Sequence, residues 1–476
     1  MNIKIILNKE TDIYRQIYSY FKEGILMDKL KVNERLPSIR QVANKLQINN
    51  ITVLKAYSLL EIDGYIYKIK GSGSFVKNIS LKDTYPLQKP ILENFKSGQI
   101  KINSNINFAS GTPNKEMFPT KIFQDIISDL FLEDGSDLFI YEDSQGNLAL
   151  RKNIANLLKK KIKNISHKEI QITNGAQQGL DLLKKGIIKN SSTIILGSPT
   201  YSSAITTFSN FCKIKTVPMH PDGFDMEILK DLLKSVKIDY IYVMTNFQSP
   251  TGYKWSDDKK IKLLNLAEEH NFYIIEDDCL SELYYHSIPT SSIKSMDLND
   301  KVFYINTFSK TIMPGLRLGY LISPKKFIPI VINSKFISDI SSCNLSQKSL
   351  NIFLENYYDK HLLKIRNFYK NKYQLVKSLI FKSKFLKVDY LPEGGFYFWV
   401  SIINNLNSDL LYMKFKERGV SVLPGNIFFY KNNDSNKIRI SFAAVSENEI
   451  ILGFKIIEET IYEIIHGEEN TYIPLI

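Results

Sequence analysis

The sequence predicts an α/β chain in two parts. The first is a small helical N-terminal domain closed by a β-hairpin. The second is a large domain in which strands and helices alternate around a mostly parallel sheet. Three observations predict this. Apolar residues recur at helical spacing through the first 77 residues, a polar stretch of no sustained period follows, and from Ile106 onward short apolar runs alternate with longer helical stretches.

Residues 12–24 place Ile13, Ile17, Tyr20 and Phe21 on one helical face. A second helix is predicted over 38–46. Ser38 follows Pro37 as its N-cap, and Gln41, three residues on, completes a capping box. Residues 47–50 form a polar turn, and 51–61 a third helix ended by Gly64. Two β-prone runs, 65–70 and 73–76, surround Gly71-Ser72-Gly73 and read as a hairpin. Residues 1–77 are therefore expected to be a winged helix-turn-helix. Residues 78–105 contain Pro86 and Pro90 among Lys, Gln, Asn and Ser, which predicts a linker, with some helix around 91–95. The large domain occupies 106–476.

Composition bounds the functions open to this chain. It has 476 residues, of which 44% are apolar and 23% charged, enough for a packed core. The longest apolar runs fall far short of the roughly 20 residues a membrane span needs, and no signal-peptide pattern opens the chain. A cytoplasmic protein without membrane partners is expected. Cys212, Cys279 and Cys343 are far apart and have no metal-ligand spacing, so they read as reduced thiols with no metal site. The net charge is +13. Residues 1–77 hold ten Lys and three Arg against four Glu and three Asp, an excess that suits a polyanion.

The run LPSIRQVANKL, followed by ITVLKAYSLLEIDGYI and GSGSFV, resembles the DNA-binding domain of GntR-type bacterial regulators over residues 13–76. The resemblance implies double-stranded operator DNA as a partner. In a winged helix the third helix enters the major groove, while the wing and the start of the second helix meet phosphates. The candidate contacts are Arg35, Ser38, Arg40, Asn50, Thr52, Lys55 and the wing at Ser72. Asn49-Asn50 stands where GntR domains often carry Ser-Arg, so the operator cannot be borrowed from relatives.

In the large domain four strand-like runs end in polar groups. Residues 193–196 lead to Pro199-Thr200-Tyr201, 240–244 to Asn246 and Ser249, 272–275 to Glu276-Asp277-Asp278, and 302–305 to Thr307, Ser309 and Lys310. Ligands of parallel sheets bind beyond such C-terminal ends, so these groups are expected to converge. A lone lysine here is ordinarily a surface charge, but TFSKTIMPGLRLGY resembles the Schiff-base segment of fold-type-I, aspartate aminotransferase-like pyridoxal-phosphate enzymes.

That resemblance implies pyridoxal 5'-phosphate on Lys310, with Thr307, Ser309 and Arg317 on its phosphate. TNGAQQGLDLL adds Gly175, Ala176 and Gln177 at a helix N-terminus, which favours an anion. Tyr201 would stack on the ring. Asp277 would keep the ring nitrogen protonated, Ser249 would face the phenolic oxygen, and Asn246 would be a further cofactor-binding residue. Tyr141 would reach the phosphate of a neighbouring subunit in a homodimer. Arg439, in KIRISFAAV, would clamp a substrate carboxylate as a fork. EGGFYFWV (393–400) and VLPGNIFF (422–429) complete the likeness. Ser249 replaces the family's usual Asn, and Cys279 the Tyr of EDDY. Both changes fall on the phenolic-oxygen side, and a thiol is a weak donor.

A GntR-type domain fused to such a domain is the arrangement of the MocR subfamily of bacterial regulators, which this chain resembles over nearly its whole length. The resemblance implies a regulator that senses an amino compound or amino acid, or the cofactor itself, through imine chemistry. The alternative is a working aminotransferase carrying an accessory DNA-binding domain.

Overall fold

The computed structural model describes residues 12–26, 30–62, 65–69, 72–77, 105–162, 165–286, 288–403, 406–431 and 435–466. Expectations resting on Gly64, Gly71, the 91–95 helix and most of the 78–105 linker lie outside the described residues. The chain divides into two compact units, one within 1–96 and the other within 97–476.

The small unit comprises α1 (Ile13–Leu26), α2 (Ile39–Leu46), α3 (Asn50–Ile62) and a hairpin of β1 (Ile66–Ile69) and β2 (Gly73–Val76). Ser38 is the N-cap of α2, and its capping box with Gln41 is complete in both directions. Gln47 ends α2 in the left-handed region at φ 52°. Asn50 begins α3 instead of closing the turn. The Asn49 side chain accepts from the Ile51 N–H at 2.8 Å and so takes the capping position. Ile17, Phe21, Val42, Val53, Ala56, Tyr57 and Leu60 form the buried core. The Tyr57 hydroxyl donates to the Pro37 carbonyl at 2.8 Å, tying α3 to the entry of α2.

The large unit opens with β3 (Ile106–Asn107). An eight-stranded sheet follows, built from β4 (Ile170–Thr173), β5 (Thr193–Ser198), β6 (Lys213–His220), β7 (Gly223–Phe224), β8 (Tyr240–Val243), β9 (Tyr273–Asp277), β10 (Val302–Thr307) and β11 (Gly319–Ile322). Its order is β4-β11-β10-β9-β8-β5-β6-β7. The strands β10, β9, β8, β5 and β6 run parallel, while β11 is antiparallel to both of its neighbours. Burial on both faces explains why β5, β8 and β11 read as largely apolar runs.

A second, antiparallel sheet combines β12 (Leu386–Val388), β13 (Tyr397–Ile402), β15 (Leu423–Pro424) and β16 (Lys437–Ser441). β3 pairs in parallel with β14 (Val420–Ser421), so Ile106 and Asn107 are anchored to the C-terminal part of this unit. From β3 the chain runs on through Ala109 and Gly111 toward the ends of the central strands.

Candidate functional site

The four strands that the sequence ends in polar groups, β10, β9, β8 and β5, are consecutive neighbours and parallel. Their C-terminal ends therefore open on one side of the sheet. Of the three acids at the end of β9, Asp277 parts from Glu276 and Asp278, because successive side chains alternate faces. Glu276 turns to the 293–296 helix, accepting from the N–H groups of Ile293 and Lys294 at 2.8 and 2.9 Å. Asp278 accepts from Asn246 at 3.0 Å and the Tyr304 hydroxyl at 2.7 Å.

Asp277 is 2% exposed and accepts from the Tyr242 hydroxyl at 3.0 Å and the Cys279 N–H at 3.3 Å. Burial raises its carboxyl above the ordinary range, and these hydrogen bonds oppose the rise only partly. Among the described residues no Lys, Arg or His makes a salt bridge to it.

Gly175 is the N-cap of the 176–186 helix at φ 85°, and the Arg317 guanidinium packs against it. A Cβ on Gly175 would lie 3.2 Å from Arg317 Nη2, which itself donates to the Asn174 carbonyl at 2.8 Å. Arg317, itself left-handed at φ 54°, is thus fixed beside the free N–H groups of Ala176 and Gln177. Thr307 and Ser309 share a hydrogen bond of 3.0 Å at the end of β10. Hydroxyls, helix N–H groups and a guanidinium are the kinds of group that bind an anion.

Lys310 donates to the Gly111 carbonyl at 2.8 Å. Arg439, in β16, is 4% exposed and donates to the Ala109 carbonyl at 2.6 Å and to Ser249 Oγ at 3.2 Å. Its Nε is buried without a partner, and burial lowers its pKa. The Tyr397 ring lies 4.1 Å from its guanidinium carbon and Phe428 5.4 Å. A Cβ on Gly111 would overlap the Tyr397 hydroxyl and come within 3.5 Å of Lys310 Nζ. One short strap, 109–111, therefore joins Lys310, Tyr397 and Arg439, and its neutral carbonyls occupy both cations.

Tyr201 is half-buried at the start of the 202–209 helix, with its phenol pKa raised by burial. Asn246 is engaged at both ends, by Asp278 and by the Thr290 hydroxyl at 3.1 Å. Ser249 accepts from Arg439 and keeps its own hydrogen to donate. Burial holds the Cys279 thiol well above its usual pKa, so it stays protonated next to Asp277. Tyr141 is not gathered into this arrangement. It is 78% exposed, in a stretch with Phe139 at 68% and Ile140 at 62%.

In the small unit Arg35, Ser38, Arg40, Asn50, Lys55 and Ser72 are exposed, while Thr52 is half-buried. Arg35 bridges to Phe75 in the wing, and its guanidinium lies against Gly73. The Lys55 ammonium sits 3.9 Å over the Tyr14 ring.

Sequence reasoning did not find Tyr242, Tyr397, Ala109 or Gly111. Tyr242 had a signal, since it precedes Asn246 on a strand already assigned to the site. The others meet their partners only through contacts between remote segments.

Residues 100–452 match the family of class I and II aminotransferases, and residues 13–76 match the gntR family of bacterial regulatory proteins. The chain is 30% identical over 463 residues to the uncharacterized HTH-type transcriptional regulator YdfD of Bacillus subtilis, covering 94% of this chain and 95% of that one. It is 29% identical over 373 residues to aromatic-amino-acid aminotransferase 1 of Thermococcus litoralis, covering 76% and 89%. The kynurenine aminotransferase of Pyrococcus horikoshii, solved in complex with PMP, superimposes with a TM-score of 0.73 at 29% identity, over 79% of this chain and 94% of that one.

Proposed function

Because the chain belongs to the class I and II aminotransferase family and carries a gntR-type domain ahead of that fold, we propose that it is a transcriptional regulator whose aminotransferase-like unit is its sensor. Its cofactor is pyridoxal 5'-phosphate. The observation that carries this reading is a buried Asp277 with no salt bridge among the described residues, together with a buried Arg439 held by the same strap that holds Lys310. The residues fit the cofactor. Asp277 offers the anion that a protonated ring nitrogen needs, and the Gly175–Arg317 cradle offers the phosphate site.

Lys310 is the residue that would hold the cofactor covalently, with Thr307, Ser309, Arg317 and the N–H groups of Ala176 and Gln177 on its phosphate. Tyr201 would cover the ring, and Ser249 and Asn246 line the side of its phenolic oxygen. When bound, the group supplies an electron-poor ring that stabilises charge next to an amine. Asp277 would hold the proton on the ring nitrogen, while Tyr242, donating to its Oδ2, keeps that carboxylate in place.

An amino acid or related amino compound is the expected effector. Its carboxylate would replace the Ala109 carbonyl on Arg439, trading a neutral acceptor for a charged, forked one. Its amine would take the place of Lys310. The strap would then be released from both cations. Only β3 and Phe108 separate it from the segment 78–105, which we assign as the linker to the DNA-binding domain of 1–77. Ligand affinity that differs between two strap positions is enough to change DNA affinity. In this reading the chain works as a cytoplasmic homodimer on a two-fold operator, with the exposed 139–141 stretch at the subunit contact and Tyr141 reaching the partner's phosphate site.

The test is an absorbance titration of wild type and Lys310→Ala with pyridoxal phosphate, followed by borohydride reduction, peptide mapping and operator-binding measurements with and without amines. A reduced adduct on Lys310 and amine-dependent DNA affinity are expected. DNA affinity that follows the cofactor alone would make the cofactor the signal. A second reading, a working aminotransferase, is favoured by the intact Lys310, Asp277 and Arg439 set. Turnover with an amino donor and a keto acceptor distinguishes it.

A further inference from the structure

The recognition helix carries two large apolar side chains that its own core does not use. Ile51 is 69% exposed and Leu54 45% exposed. Val53, Ala56, Tyr57 and Leu60 fill the opposite, buried face of α3. Asn50, Ile51, Leu54 and Lys55 follow i, i+1, i+4, i+5 spacing, which puts all four on one outward arc in the first half of the helix. In a winged helix this arc is presented to base edges.

The surroundings of this apolar pair favour nucleic acid over a protein partner. Arg35, Arg40 and Lys45 are exposed on or just before α2. The Asn49 cap fixes the first turn, so Ile51 is presented at a defined place. The Lys55 ammonium is drawn aside over Tyr14, which leaves Leu54 as the outward group at that level.

We infer that Ile51 and Leu54 read thymine methyl groups, so that each operator half-site carries thymine at two positions set by these side chains. This rests on the DNA-binding reading above. Of the groups displayed in the major groove, only the thymine C5-methyl is apolar. Neither side chain has a hydrogen-bonding atom. A G·C pair opposite either one would lose water from its polar edge without gaining a partner, and would be rejected for that reason. Asn50, beside them, has the amide suited to adenine.

The experiment selects sites from random duplexes with the full-length protein in the presence of pyridoxal phosphate, then replaces thymine by uracil at the fixed positions. Uracil removes only the methyl group. The expected result is two thymine positions per half-site, each losing about fourfold in affinity with uracil, the equivalent of one buried methyl. Ile51→Ala and Leu54→Ala should each abolish the uracil penalty at one position while keeping the thermal stability of wild type. Uracil that is harmless to wild type, or penalties unchanged in both variants, would overturn the inference and leave DNA binding intact. A change of oligomeric state in the variants with unchanged site preference would assign the pair to protein contact and overturn it equally. Failure to enrich any site would overturn the DNA-binding reading itself.

Discussion

The two units place their polar groups in opposite ways. In the small unit the core is apolar and the candidate DNA contacts stand outside it, as Arg35, Ser38, Arg40, Asn50 and Lys55 do. In the large unit Asp277, Asp278, Glu276, Arg439, Lys260 and Lys372 are all buried. An exposed face can be changed without touching the fold, whereas a buried charge is coupled to both ligand and stability. Function and folding should therefore separate under mutation in the first unit and remain linked in the second.

The largest effect tests that linkage at the point where it is weakest. Lys310→Ala should abolish borohydride-fixed cofactor at this position and leave unfolding almost unchanged, since among the described residues the amine hydrogen-bonds only the Gly111 carbonyl. Peptide mapping and thermal unfolding of the cofactor-free protein read the two quantities. Next comes Asp277→Asn. Removing one partner of a buried ion pair costs about 3–5 kcal/mol, so cofactor affinity should fall by at least about a hundredfold. Without cofactor the same change relieves an unpaired buried carboxylate, and stability should rise. Affinity and stability both falling would break the comparison.

The contrast is sharpened on a single helix by Leu60→Ala and Leu54→Ala. Leu60 is fully buried and its truncation should cost about 2–5 kcal/mol in the small unit's stability. Leu54 is 45% exposed and its truncation should stay within about 0.5 kcal/mol, with DNA affinity the quantity that moves.

Much of this was legible locally. The α2 capping box needs only Ser38 and Gln41, and the four strand ends need only apolar runs followed by polar residues. Helix boundaries shifted by a residue or two where caps compete, as when Asn49 took the capping position and Asn50 joined α3. The strap was not legible. Lys310 meets Gly111 across 199 residues and Arg439 meets Ala109 across 330, and no periodicity encodes such contacts. The family resemblance singled out Asp277, but periodicity alone could not sort it from Asp278, because that depends on which face each presents beyond β9.

Buried charge also predicts a pH effect confined to the large unit. Lys372 is 2% exposed, donates to the Val445 carbonyl, and burial pushes its pKa down to about 8 from an ordinary 10.5. Between these values the unfolded chain binds the proton and the folded one does not, so stability should rise with pH from about 8 upward. It is lost again as pH falls back through 8. Lys372→Met should remove this rise, read as denaturant midpoints at pH 8 and pH 10; a rise that persists in the variant would assign it to another group.

The smallest effect lies in the small unit. Ser38→Ala deletes the hydroxyl that accepts from the Gln41 N–H at 3.2 Å, and leaves the Gln41 side chain on the Ser38 backbone. Half of the capping box survives, so the loss should be about 1 kcal/mol. Ser38 is also exposed at the start of α2, where phosphates are expected. Ser38→Asp separates the two roles. It restores the cap, and with it the stability, but places a negative charge facing the DNA backbone. Stability recovered with DNA affinity lost would show the outer face acting independently of the fold it stands on. Recovery of both would confine Ser38 to capping and move the phosphate contact to Arg35 and Arg40.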